Sequence, residues 1–100
     1  MKIDVTHISR SFGRQTRAYA EYRIFSSLAA FSNVVRQVTV SLTSGATGRS
    51  MECSVLIGLQ TGVPLQVTAR GRHAYDAINR AAVRLAPALR RHAHVAVPSR

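Results

Sequence analysis

The stretch LQVTARGRHAYDAINRAAVRLAPALRR, residues 65–91, changes period in its middle and so decides the fold. Leu65, Val67 and Ala69 alternate with Gln66 and Thr68, the two-residue period of a strand with one buried face. Gly71 breaks that pattern. From there Tyr75, Ile78, Ala82, Leu85 and Leu89 recur at spacings of three and four, which at about 100° per residue gather into one apolar stripe of a helix. Arg80, Arg84 and Arg91 project about 180° from that stripe, within roughly 40° of one another. His73 falls near the same line. Pro87 interrupts the hydrogen-bond ladder, which predicts a kink or the end of the regular helix at that point.

Working upstream, Met51, Cys53, Val55, Ile57 and Leu59 share one face of a strand over 51–59, and Gln60-Thr61-Gly62 turns it. Val38, Val40 and Leu42 alternate with Gln37, Thr39, Ser41 and Thr43 in another strand. The small residues from Ser44 to Ser50 between the two strands read as a loop. Residues 10–31 read as a helix with Ala20, Ile24, Leu28 and Phe31 at helical spacing. Tyr19, Tyr22 and Phe25 are expected to broaden its apolar face, and Ser32-Asn33 to end it. Ile3 and Val5 alternate with Lys2, Asp4 and Thr6 in a short first strand. The expected class is therefore α+β, a two-layer β-α-β-β-β-α arrangement in which a four-stranded sheet packs both helices on one face. The first strand, followed by a crossover, should pair parallel with its successor, and the last three strands should run antiparallel. Residues 1–97 are expected to form one domain and 98–100 a short tail.

Composition narrows the function. The 100 residues carry 14 Lys and Arg against 4 Asp and Glu, a formal net charge of +10, yet 46% are hydrophobic. A disordered basic tail would be poorer in apolar residues, so the chain is expected to fold around a core. Lys2 is its one lysine; the other cations are Arg, whose planar fork of donors suits phosphate. Residues 1–36 carry a net +4, residues 37–69 are neutral and residues 70–100 carry +6. That segregation is the footprint of a polyanion-binding surface. Arg70, Arg72 and Arg36 are expected near the helical row of Arg80, Arg84 and Arg91, with Arg90 beside it. The polar sheet face shows Thr39, Ser41, Ser54 and Thr68 in place of base-stacking aromatics, so phosphates and the shape of structured RNA suit it better than single-strand sequence.

Other chemistries find little support. No run approaches the roughly 18 apolar residues of a membrane span, and no apolar leader opens the chain. Cys53 is the single cysteine, which excludes an internal disulfide and a Cys-based metal cluster; its apolar strand neighbours predict a buried thiol. No Walker or dinucleotide motif and no paired carboxylates stand out, and Ser and Cys lack a base at motif spacing. His7 has no obvious partner. His92 and His94 stand two apart at the end of the chain, too few for more than weak metal binding. No enzyme, cofactor, metal or small-molecule substrate is expected, and the natural compartment is the cytoplasm.

The segment from Val67 to Arg80 resembles the ribosome hibernation-promoting factor and ribosome-associated inhibitor family. In that family a last strand enters a Gly, then a Tyr-x-x-Ile opens the final helix, followed by a basic residue and Leu. Those fall here on Gly71, Tyr75, Ile78, Arg84 and Leu85. Phe31, Val35 and the strand from Val38 to Leu42 resemble the family's helix end and second strand, so the likeness runs along nearly the whole chain. It implies a translation inhibitor of stress or stationary phase that docks in the small ribosomal subunit. Such a factor blocks the channel of messenger RNA and tRNA by occlusion, with basic helix residues on ribosomal RNA phosphates. Arg84 and Arg91 match basic positions of the family's last helix; Arg80 extends their stripe. The chain departs from the family's pattern at His73 and Ala74, at Asn79, where an acid is common, and at Pro87. The resemblance is to the short form, without an appended dimerisation domain. The residues alone leave two other classes open, a general structured-RNA or DNA-binding module and a protein-interaction partner with a charged face.

Overall fold

The computed structural model describes residues 2–6, 13–44 and 48–96. In chain order these form β1 (Lys2–Thr6), α1 (Arg14–Leu28) with a 3₁₀ turn at Ala29–Phe31, β2 (Val35–Ser44), β3 (Met51–Leu59), β4 (Leu65–Gly71) and α2 (Ala74–Ala96). β2, β3 and β4 make an antiparallel sheet in which Val40 faces Val55 and Val55 faces Val67, while Leu42 faces Cys53 and Cys53 faces Ala69. β1 lies parallel to β2, Lys2 opposite Gln37 and Thr6 opposite Ser41, giving the order β1-β2-β3-β4. The α+β class expected from the two periodicities is the class observed.

Alternation places the core. Val38, Val40, Leu42, Cys53, Val55, Ile57, Val67 and Ala69 are buried on one sheet face. Ile24 and Leu28 of α1 and Ile78, Leu85 and Leu89 of α2 close over them, each fully or almost fully buried. The small Ala77, Ala81 and Ala82 are buried as well, which lets α2 approach the strands closely. Cys53 sits inside this core as a free thiol, and burial pushes its pKa up to about 12. It behaves there as a small apolar side chain.

Several boundaries differ from the sequence reading, each for a local reason. α1 begins at Arg14, capped only by the Gly13 backbone; the expected start at residue 10 lies outside the described residues, as do His7 and the 97/98 boundary. β2 begins two residues earlier than expected, with an irregularity between Val35 and Gln37. Tyr22 and Phe25 do not broaden the buried face: they are 66% and 52% exposed. The stripe Thr16, Ala20, Ile24 and Leu28 already fills the contact with the sheet, so the flanking aromatics are left outside. α2 runs through Pro87 to Ala96 instead of ending there. Pro87 is exposed, and buried Leu85 and Leu89 on either side hold the helix to the sheet.

Gly71 carries the turn from β4 into α2. It does not break the strand but ends it, paired with Met51. A Cβ at this position would collide with the backbone nitrogen of Ala77 and lie 2.8 Å from the Asp76 carboxylate. The missing side chain is thus what lets the first turn of α2 fold back over the end of β4. Gly62, with φ +90, makes the β3–β4 turn in the left-handed region that favours glycine. Gly71→Ala should therefore lower stability by about 2 kcal/mol through overpacking at that corner. Denaturant unfolding measures it, and a change within about 0.5 kcal/mol would show that the corner has room to spare.

Candidate nucleic-acid interface

The first turn of α2 organises the arginines that follow it. Asp76 Oδ2 accepts the backbone N–H of Arg72 at 2.9 Å, and the backbone N–H of Asp76 points at Nδ1 of His73 at 3.3 Å. The first contact fastens the chain just ahead of the helix to its opening turn, and the second satisfies a donor that a helix start leaves open. The other carboxylate oxygen, Oδ1, accepts Nε of Arg80 at 3.2 Å, one turn on. These contacts, led by the Arg72 backbone N–H and then Arg80, hold the Asp76 carboxyl below its ordinary value.

Arg84 extends across the flank of α2 to β4, where its Nη1 donates to the Thr68 carbonyl at 2.8 Å. Arg91 is exposed on the same side, and both line a groove between α2 and β4. The row expected on the outer face of α2 thus exists, but Arg84 and Arg91 lean over the outer strand of the sheet. Arg80 and Arg84 reach protein groups with one donor each and remain exposed, so their other donors stay turned to solvent.

Of the remaining predicted residues, Arg70 does not join this row. Arg70 lies on the sheet face away from the helices, 3.5 Å from Glu52 Oε2, in the register that sets those two residues opposite each other. Arg36 is exposed in the irregularity at the start of β2, where Val35 pairs with Leu59; Arg70 stands at the other end of the sheet beside Glu52 and Met51. The expected grouping of Arg70 with the helical row is therefore corrected: a strand's alternation puts Arg70 on the polar face, away from α2. Arg72 is exposed next to the helix start and contributes its backbone N–H there. Arg90 is exposed one residue, hence about 100°, from Arg91.

Three groups with a part in the site escaped sequence reasoning. Asn79 Oδ1 accepts both the Tyr19 hydroxyl and Arg23 Nε, each at 2.7 Å, and so ties α1 to α2. Tyr19 also meets Tyr75 edge to face with centroids 4.8 Å apart, which explains why Tyr75 lies at the rim of the core, 39% exposed. Asp76 and the Thr68 carbonyl are the others. The spacing Asp76–Arg80 is a readable i, i+4 signal; a bond to a backbone carbonyl on another element leaves none. Opposite the helices, Gln66 Nε2 donates to Ser54 Oγ at 2.8 Å, and Ser54 and Thr68 hydroxyls meet at 3.3 Å. That face carries hydroxyls and amides in place of stacking rings, as expected.

Among the described residues no three His, Cys, Asp or Glu gather as a metal site would require, and no helix is long and apolar enough to cross a membrane. His92 Nε2 is buried without a hydrogen-bond partner among the described residues, and the His94 side chain lies outside them.

With this geometry in place, comparison with known proteins turns on the fold. No family model matches the sequence, and no curated protein matches it by sequence. The fold is nonetheless that of the family the Val67–Arg80 segment resembles. A ribosomal subunit interface protein from Coxiella burnetii superposes with a TM-score of 0.79 at 12% identity, over 92% of this chain and 97% of its own. The N-terminal domain of Protein Y from Thermus thermophilus superposes with a TM-score of 0.68 at 19% identity, over 91% of this chain and 94% of its own.

The Asp76 contacts make an acid-side prediction. Because the folded state holds this carboxyl below its unfolded value, its contribution is present above the unfolded pKa. It is lost as pH falls through the folded one, below the ordinary 3.8. Asp76→Asn should therefore be less stable than the parent at pH 7, and the gap should shrink as pH falls toward 2. Thermal unfolding across that range measures it; a gap independent of pH would assign the effect to something other than the carboxylate.

Proposed function

We propose that the protein is a ribosome-associated translation inhibitor that docks on the small ribosomal subunit through the arginine-bearing flank of α2. The reading rests on one conjunction: a fold shared along more than nine-tenths of the chain with a ribosomal subunit interface protein, and Arg80, Arg84 and Arg91 exposed together on one flank of the last helix. Guanidinium groups on a helix flank hold phosphates by charge and by fork geometry, and they do so whatever the base sequence. A net charge of +10 draws such a domain toward ribosomal RNA at rates that ordinary salt would slow.

The mechanism is occlusion. A rigid two-layer domain lodged in the channel for messenger RNA and tRNA needs no reacting group, and release reverses the block. The polar sheet face, with its hydroxyls and its Glu52–Arg70 pair, offers further contacts without rings that would select bases. Factors of this kind act in the cytoplasm, under stress or in stationary phase, when translation is set aside.

Sedimentation of ribosomes from starved cells through a gradient tests the reading: the protein should travel with the small subunit and with whole ribosomes. Reversing Arg80, Arg84 and Arg91 to Glu together should abolish that association while circular dichroism remains unchanged. Absence of the parent protein from both fractions would sink the proposal. Persistence of the reversed variant there would move the docking face elsewhere on the molecule. Equal affinity for bare structured RNA and for the subunit would favour a general RNA-binding module instead.

A further inference from the structure

β4 is an outer strand of the sheet, and among the described residues no strand pairs with its second side. Thr68 turns its carbonyl outward to Arg84, 2.8 Å away. In an antiparallel pair the backbone direction alternates, so Val67 and Ala69 face β3 while Gln66, Thr68 and Arg70 turn N–H and C=O toward the edge. Alongside this edge runs a groove of about 370 Å³. Leu65, Val67, Pro87 and Ala88 supply its apolar lining, and Arg84 and Arg91 its charge. Among the described residues no carboxylate lines it, and Asp76 of the same helix is engaged with Arg72 and Arg80. Pro87 adds an acceptor, because it has no N–H to give the carbonyl of Val83, another lining residue.

We propose that this edge and groove receive an extended polypeptide segment bearing acidic side chains, which adds to β4 as a further strand. The occupant follows from three features together. An array of N–H and C=O groups at strand spacing matches another polypeptide backbone. The apolar lining rewards every second side chain of an added strand, and would gain nothing from phosphates. Arg84 and Arg91 then select carboxylates, and Arg84 exchanges the Thr68 carbonyl for a charged partner, which makes the stronger hydrogen bond. A second copy of this chain, at +10, is repelled from the same place. The inference is independent of ribosome docking, but the two meet at Arg84, so an acidic segment seated here competes with phosphates for that side chain.

The experiment titrates the full chain with an acetylated and amidated peptide of about 8 residues that alternates Val with Asp and Glu, followed by amide NMR and hydrogen exchange. The amides of Gln66, Thr68 and Arg70 should shift and gain protection, and a Lys-for-acid version of the peptide should not bind. Arg91→Glu, at an exposed position, should weaken the acidic peptide about tenfold or more. Thr68→Pro removes an edge N–H that no strand partner uses, and should abolish binding. The Arg91 variant keeps the test decisive should the proline variant fold poorly. The proposal is overturned if the acidic peptide does not bind, if it binds and leaves those three amides unprotected, or if the Lys version binds equally. It is also overturned, in favour of nucleic acid, if a uridine-rich RNA oligonucleotide protects the same amides and the peptide does not.

Discussion

The close approach of Gly71 to the backbone of Ala77 and to Asp76 is the constraint on which the rest of the structure depends. It fixes where α2 leaves the sheet and hence which way every later side chain of the helix faces. With the helix start seated there, Ala77, Ile78, Ala81 and Leu85 come down on the strands. Arg84 and Arg91 come out over the edge of β4, and Arg80 stays exposed beside Asp76. A rotation of α2 by one residue, about 100°, would bury guanidinium groups that have no buried partners and expose Leu85 and Leu89. The core and the charged flank are thus two consequences of one packing choice.

A domain this basic must keep its cations apart and in water. It does so by spreading them over separate surfaces: one flank of α2, the polar sheet face at Arg70, the start of β2 at Arg36. The few acids are placed where they matter. Asp76 closes the first turn of α2 and steadies Arg80, and Glu52 stands beside Arg70. Exposed ion pairs of this kind contribute little stability each, so their effect is chiefly on where the guanidinium groups point. Stability rests instead on the apolar interior shared by the sheet and both helices.

Most of the architecture was legible in the residues because two periods are hard to mistake. β3 runs over the residues its alternation marks, Met51–Leu59, and the stripe from Ile78 to Leu89 identifies the buried side of α2. Tyr22 and Phe25 misled for a physical reason: aromatic character does not reveal whether the sheet is wide enough to cover a residue on the flank of the stripe. Of the two outcomes expected at Pro87, an end to the helix did not follow, because the penalty for breaking the ladder is local while the anchoring at Leu85 and Leu89 is tertiary. The helical part of the candidate site was readable as a row on the wheel. Its true direction was not, since Arg84 bonds to a backbone carbonyl sixteen positions away, and any residue type at 68 would offer one. Arg70 illustrates the same limit, as closeness in a topology diagram says nothing of which sheet face a side chain takes.

The central claim is that the arginine flank of α2 grips phosphates of the small subunit. The salt dependence of binding to purified small subunits tests it most directly, for the parent and for Arg80→Ala, Arg84→Ala and Arg91→Ala one at a time. An arginine that neutralises one phosphate adds about 1 to the slope of log affinity against log salt, and its replacement by Ala removes that share. Arg70→Ala, on the other sheet face, serves as the contrast. The account predicts shallower slopes for the three α2 variants and a smaller change for Arg70→Ala. Parent-like slopes in all three α2 variants would contradict it.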